Sequence, residues 1–378
     1  MRFYSLLLVI IFSWSFQVTG QSSEDQKLTS LNDAAFIALE KSDTAVARLA
    51  NELLAESAKK GKPSVFGINA HTILGIINKD KGYFITSLNH YLKALNQAES
   101  IGDHGRISAC YNNIGTVYQL QNNYVKSRSY FEKSLLIEDS LKQPLQQSIR
   151  YYNLGEVYAK MDSFSMALSY YNNSLIIEKD LGNTEGEIYA LLGISEIYIK
   201  VGRYPDAQIL LDEIDLKIEP HQVEESILYR KLLGILFAKK DQLDDAYREL
   251  NSAESISSKS NIRIHLLDIY KEQIAILKRQ NKWETAVQKF DQYTALKDEL
   301  NNLKVKNQLE DLTFQNELSR KELELKLIQE EKDLAVKNQK LEENTSKHRR
   351  KVVWFLVSSI LLLFVLIIFG IRKLAKDT

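Results

Sequence analysis

One phrase returns along this chain every forty residues, and a period of that length leaves little choice of architecture. Leu74-Gly75 is followed by Gly82 and Phe84. Ile114-Gly115 precedes Tyr118 and Tyr124, and Leu154-Gly155 precedes Tyr158, Phe164 and Ala167. Later copies carry Ile194-Ser195, Tyr198, Gly202, Tyr204 and Ala207, then Leu233-Gly234, Phe237, Leu243 and Ala246. A weaker copy keeps Leu277, Trp283, Ala286 and Phe290. Self-similarity at this spacing is the mark of stacked units, each burying its apolar face on its neighbours.

Within a unit the stripes read as two antiparallel helices. Tyr111, Ile114 and Tyr118 mark one helical face, Asn122-Asn123 interrupts it, and Tyr124, Ser127, Phe131 and Leu135 mark the next. Gly115 and Ala167 stand where a larger side chain would hold two backbones apart. Pro63, Pro144 and Pro220 fall between units, and Pro205 falls at the start of a second helix, where its missing amide hydrogen is tolerated.

These residues resemble the tetratricopeptide repeat family, whose pattern places an aromatic before Leu-Gly and Tyr in the first helix and Ala and an aromatic in the second. Tyr111, Ile114-Gly115, Tyr118 and Phe131 follow it with Ser127 in the alanine place; Tyr151, Leu154-Gly155, Tyr158, Ala167 and Tyr171 follow it more closely. The resemblance covers residues 68–296, and residues 28–62 read as a degenerate first unit, with Ala47 one period before Ser87. It implies an all-α chain: an α-solenoid of tetratricopeptide-like helical hairpins over 28–296, followed by a long charged helix and one transmembrane helix.

The flanking segments suggest a membrane address. Residues 1–20 have a basic start at Arg2, an apolar run from Leu6 to Phe12 and a modest Val18-Thr19-Gly20 end, the pattern of a signal peptide, with 21–27 as a short linker. Residues 297–348 are rich in charge, with acid-to-base pairs such as Glu317/Lys321 and Asp333/Lys337 four residues apart. Leu327, Leu334 and Leu341 recur every seven residues, but Glu330 and Lys337 occupy the alternate seam positions. This segment reads either as a single stalk or as a parallel homodimer through 309–341. Val352 to Ile371 carries no charge over twenty residues, enough for a transmembrane helix, and 372–378 would form a short cytoplasmic tail. The expected location is the bacterial inner membrane, single-pass, with the repeats in the periplasm. Signal peptide, repeats, charged helix and span together resemble the sensor half of Bacteroidetes membrane-bound histidine kinases or LuxR-type regulators. Only seven residues follow the span, so the chain reads either as a sensor or scaffold that needs a separate signalling partner or as a truncated relative of those regulators.

No catalytic, cofactor or metal site is expected. The chain holds 49 basic and 49 acidic residues, which leaves no basic surplus for nucleic acid. Its one cysteine, Cys110, excludes a disulfide framework, and no phosphate loop, HExxH or GxSxG motif is present. What remains is recognition of a protein or peptide. The resemblance implies a concave groove lined by first helices, including Asn112, Thr116 and Gln119 from one unit and Tyr152, Glu156 and Lys160 from the next. Asn and Gln would bond an extended backbone, Tyr152 would pack an apolar side chain, and Glu156 and Lys160 would read charge. Each of these is also what an ordinary solvated helix face carries. Three functions fit: a groove-binding scaffold or sensor, the input module of a transmembrane signalling system, or a structural tether in envelope assembly.

Overall fold

The computed structural model describes residues 23–41 and 43–374, with side chains described only in part beyond Thr313. The expected signal peptide lies outside the described residues. The molecule divides into two units, the first ending at Leu312.

The first unit is a row of helical hairpins. Its helices are α1 (Ser23–Glu40), α2 (Val46–Ala58), α3 (Val65–Asp80), α4 (Phe84–Ile101), α5 (His104–Leu120), α6 (Tyr124–Leu141), α7 (Pro144–Lys160) and α8 (Phe164–Leu181). They continue with α9 (Thr184–Lys200), α10 (Tyr204–Asp215), α11 (Val223–Lys239), α12 (Leu243–Lys259), α13 (Leu266–Arg279) and α14 (Trp283–Leu374), with a 3-10 turn at Arg263–His265. Odd and even helices pair, each even helix up to α12 packs on the next odd one, and no strand occurs among the described residues.

Turn chemistry repeats with the hairpins. Between the two helices of a pair, one residue takes a left-handed conformation: Gly82 (φ 80°), Asn122 (59°), Asp162 (55°), Gly202 (80°), Asp241 (64°) and Asn281 (59°). Gly, Asn and Asp are the types for which this conformation is cheap. Several helices then start on a local cap. Ser64, Asp103, Asn123 and Asn183 each accept a hydrogen bond from the amide three residues on, at 3.0–3.4 Å. Pro144 and Pro205 sit in the first turns of α7 and α10, as expected.

Packing within a hairpin depends on one contact. A Cβ added at Gly155 would lie 2.6 Å from the Tyr171 ring, and one at Gly115 would lie 2.7 Å from Phe131; Gly75 faces Tyr91 still more closely. At Gly234 the obstacle is Leu250, 2.8 Å away. A large residue of the second helix therefore lies directly on the bare backbone of the first. In the fourth copy the partner position holds Leu211, and there Ser195 fits, its hydroxyl bonded to the Leu191 carbonyl at 2.8 Å. Below this contact, the start of each second helix buries a small residue: Ser87, Ser127, Ala167, Ala207, Ala246 and Ala286.

No single core exists. Buried clusters bridge neighbouring hairpins, as where Ile68 and Ile76 of α3, Tyr91 and Ala94 of α4, and Cys110 and Ile114 of α5 pack together. Polar groups enter the seams as well. Ser108 pairs with Ser134 at 2.8 Å, and Ser148 repeats the pairing with Ser174 at 2.9 Å. Arg150 of α7 is wholly buried against α6, donating from Nε to Ser134 at 2.6 Å with Glu138 at 3.6 Å. Burial pulls the guanidinium down to about 10 and pushes the Glu138 carboxyl up.

In the second unit, α14 continues as helix to Leu374. The expected transmembrane helix over Val352–Ile371 requires correction: no helix among the described residues is long and apolar enough to cross a membrane. The assignment to the bacterial inner membrane, with a periplasmic array and a cytoplasmic tail, rested on that helix and is withdrawn with it.

Gly155→Ala should force the Tyr171 ring aside and lower stability by about 1–3 kcal/mol, despite alanine's better helix propensity. Ser195→Ala, opposite the smaller Leu211, should stay within about 1 kcal/mol of the parent. Urea denaturation of the two variants beside the parent checks both; equal losses would remove the aromatic-on-glycine contact as the cause.

Candidate functional site

First helices of successive hairpins touch one another, α1 with α3, α3 with α5, α7 with α9, α9 with α11 and α11 with α13, so they form a continuous wall. Side-chain bonds cross from one to the next. Asn69 Nδ2 donates to Asn32 at 2.8 Å, and Arg106 Nε to Asn69 at 3.4 Å. Asn153 Nδ2 donates to Asn112 at 2.8 Å, and Gln119 Nε2 to Glu156 at 3.3 Å. Near the far end His265 Nε2 and Glu224 lie 3.1 Å apart, and that hydrogen bond holds the Glu224 carboxyl down at about 2.

The six residues singled out from the sequence divide into two sets on this wall. Asn112 and Gln119 are 5% and 8% exposed, and their amides take part in bonds between hairpins. Thr116 donates its hydroxyl to the Asn112 carbonyl one turn back, at 3.0 Å. Tyr152 is half-buried, with ring centroids 5.5 Å from Tyr171 and 6.0 Å from Tyr189. Glu156 is half-buried and Lys160 exposed, so this turn of α7 is the part that meets solvent.

The structure adds neighbours that the sequence reading passed over. Glu196 and Lys200 of α9 are one period beyond Glu156 and Lys160, and they form an ion pair at 2.8 Å. Adding forty to each number would have found them. Burial pushes Glu196 up, but Lys200, Lys231 and Lys160 outweigh it and hold the carboxylate below its usual range. Glu156 goes the other way: desolvation raises it, the charge of Glu196 adds to the rise, and the Gln119 bond and Lys160 only partly oppose it. Two carboxylates and three ammonium groups thus influence one another across α7, α9 and α11, and Lys231 also stands 4.0 Å from Asp268. Such a surface holds donors and acceptors of both signs beside the tyrosines of α7 and α9.

At the other end of the wall, His71 of α3 and His90 of α4 bring their Nδ1 atoms to 3.1 Å, so one ring must donate and the other accept. Burial, reinforced by His90 and Lys93, lowers His71 to about 4; burial and Lys93 lower His90 to about 4.

Comparison with known proteins agrees with this geometry. Residues 68–137 match the tetratricopeptide repeat family. No curated protein matches it. Among solved structures, the apo form of RapI is 11% identical with a TM-score of 0.62, over 73% of this chain and 99% of that one. NprR in complex with its cognate peptide NprX is 15% identical with a TM-score of 0.55, over 77% and 84% of the two chains. Aspartyl phosphate phosphatase F from Bacillus subtilis is 13% identical with a TM-score of 0.54, over 83% and 87%. These similarities concern the fold.

The histidine pair sets a pH dependence. Unfolded imidazoles take up protons near pH 6.5, whereas the packed rings resist protonation until about pH 4. Between those values the unfolded chain binds more protons, so stability should be greatest above about pH 6.5 and fall as the pH drops toward 4. Urea denaturation across this range should show a shallower fall in a His71→Asn/His90→Gln variant; an unchanged slope would assign the acid sensitivity elsewhere.

Proposed function

We propose that this protein binds a peptide segment of another protein along its first-helix wall, acting as a scaffold or sensor. The supporting observation is the set of charged side chains Glu156, Lys160, Glu196 and Lys200, the last two paired at 2.8 Å, beside Tyr152 on consecutive first helices. A charged groove of this kind reads a peptide by the order of its charges, while Tyr152 offers an apolar body for one side chain. Thr116 and the Asn112–Asn153 and Gln119–Glu156 bonds keep the spacing of the hairpins on which that register depends. The similarity to NprR, whose solved complex contains its cognate peptide, supports the same use of the fold.

Selection from a displayed peptide library against the purified chain tests this reading. Enriched peptides should carry alternating charge and bind saturably. A Lys160→Glu/Lys200→Glu variant, with both sites partly exposed, should weaken them at least about tenfold at an unchanged melting temperature. Absence of any saturable peptide, or binders indifferent to the charge reversal, would refute it.

A further inference from the structure

We propose that residues 307–311 of α14 act as an intramolecular ligand, filling a docking site at the turn between α3 and α4 and capping α4 from across the array. This contact is independent of the peptide-binding wall. It starts at the turn before α4. Position 123 holds Asn, whose side chain caps α6 by accepting from the Lys126 amide at 3.2 Å. One period earlier stands Tyr83, which makes no side-chain cap for α4. The early amides of a helix have no partner within it and are met by water or by a cap; α8, α10 and α12 start without a side-chain cap, whereas at α4 one is supplied from elsewhere.

It comes from Asp311, 225 residues away along the chain. Its carboxylate accepts from the Ile85 amide at 2.6 Å, from the Thr86 amide at 2.9 Å and from the Thr86 hydroxyl. Those are the second and third residues of α4, the two that a local cap would serve. Asp311 is only 3% exposed, and an aspartate so buried needs its charge met by donors, which this helix start supplies.

Two further contacts fit the same segment to the same turn. Asn307 Nδ2 donates to the Lys81 carbonyl, and the Tyr83 hydroxyl donates to Glu310 at 2.7 Å. Gly82 makes room: a Cβ there would lie 3.2 Å from Asn307 Nδ2, whereas Gly202, at the same turn position, has open space around it and the other copies carry Asn122, Asp162, Asp241 or Asn281. Tyr83 and Gly82 thus both meet α14. The site recognises an acidic helical turn of the form Asn-x-x-Glu-Asp, and the chain presents one to itself. Occupancy ties α14 to the second hairpin. A protein offering an equivalent acidic helix would compete for the same donors.

Amide exchange in the full-length protein tests the proposal. Asp311→Ala should speed exchange at Ile85 and Thr86 by about tenfold or more, and Asp311→Asn, which keeps an acceptor, by less; Lys126, capped by Asn123, serves as the unchanged control. A synthetic peptide of residues 301–314, locked in helical form by a side-chain lactam, should restore slow exchange when added at millimolar concentration to the Asp311→Ala protein. The same peptide with alanine at the aspartate position should not. Equal exchange at Ile85 and Thr86 in parent and variant would overturn the cap, and failure of the helical peptide to slow it would overturn the docking site.

Discussion

Four hairpins of the first unit depend on one contact, an aromatic or leucine side chain of the second helix lying on the glycine backbone of the first. It fixes the separation and angle within the hairpin, since no Cβ intervenes and the ring at 91, 131 or 171 fills the space completely. Once every hairpin has the same internal geometry, stacking copies at a constant offset places equivalent side chains at equivalent points along the wall. The recurrence of Glu156 and Lys160 as Glu196 and Lys200 is a product of that regularity. A solenoid with irregular hairpins would scatter these charges.

The turns carry the second constraint. A left-handed residue between the two helices of each pair costs little at Asn, Asp or Gly, and the chain uses all three at this point. The choice among them is where the copies differ. Gly202 has open space around its missing Cβ, so conformation alone explains it; Gly82 does not, since Asn307 occupies that space. Two glycines in one repeat position thus have different physical causes, one set by φ and the other by a distant part of the chain.

The sequence showed the hairpins plainly because the constraint that makes them is local and periodic: Leu-Gly, the aromatic sixteen residues later, the Asn or Gly at the turn. The wall was legible in position but not in availability. Asn112 and Gln119 stand where a groove residue should, yet a helix position does not reveal whether its amide faces solvent or the next first helix, and here Asn153 and Glu156 meet them. Glu196 and Lys200 followed from the period itself. The charged run of α14 gave no sign of the Asp311 contact, because pairing over 225 residues leaves no spacing to read. Hydropathy alone made the run from Val352 look like a span, and that inference fails against the described helix.

Tyr83 and Gly82 show how such long contacts can nonetheless be sought. A repeat protein supplies its own comparison set, since each copy states what a position needs for the hairpin alone. Most second helices here start without a side-chain cap, at Ser163, Arg203 and Gln242, so a cap supplied to α4 by another helix stands out, as does a turn glycine whose missing Cβ has a close neighbour. Both features fall on one turn, and both are met by the same segment of α14. The burial of Asp311 completes the argument from the other side: a carboxylate withdrawn from water on a helix otherwise rich in exposed charge has been withdrawn by specific donors, and the helix start at Ile85 and Thr86 is the set that meets it.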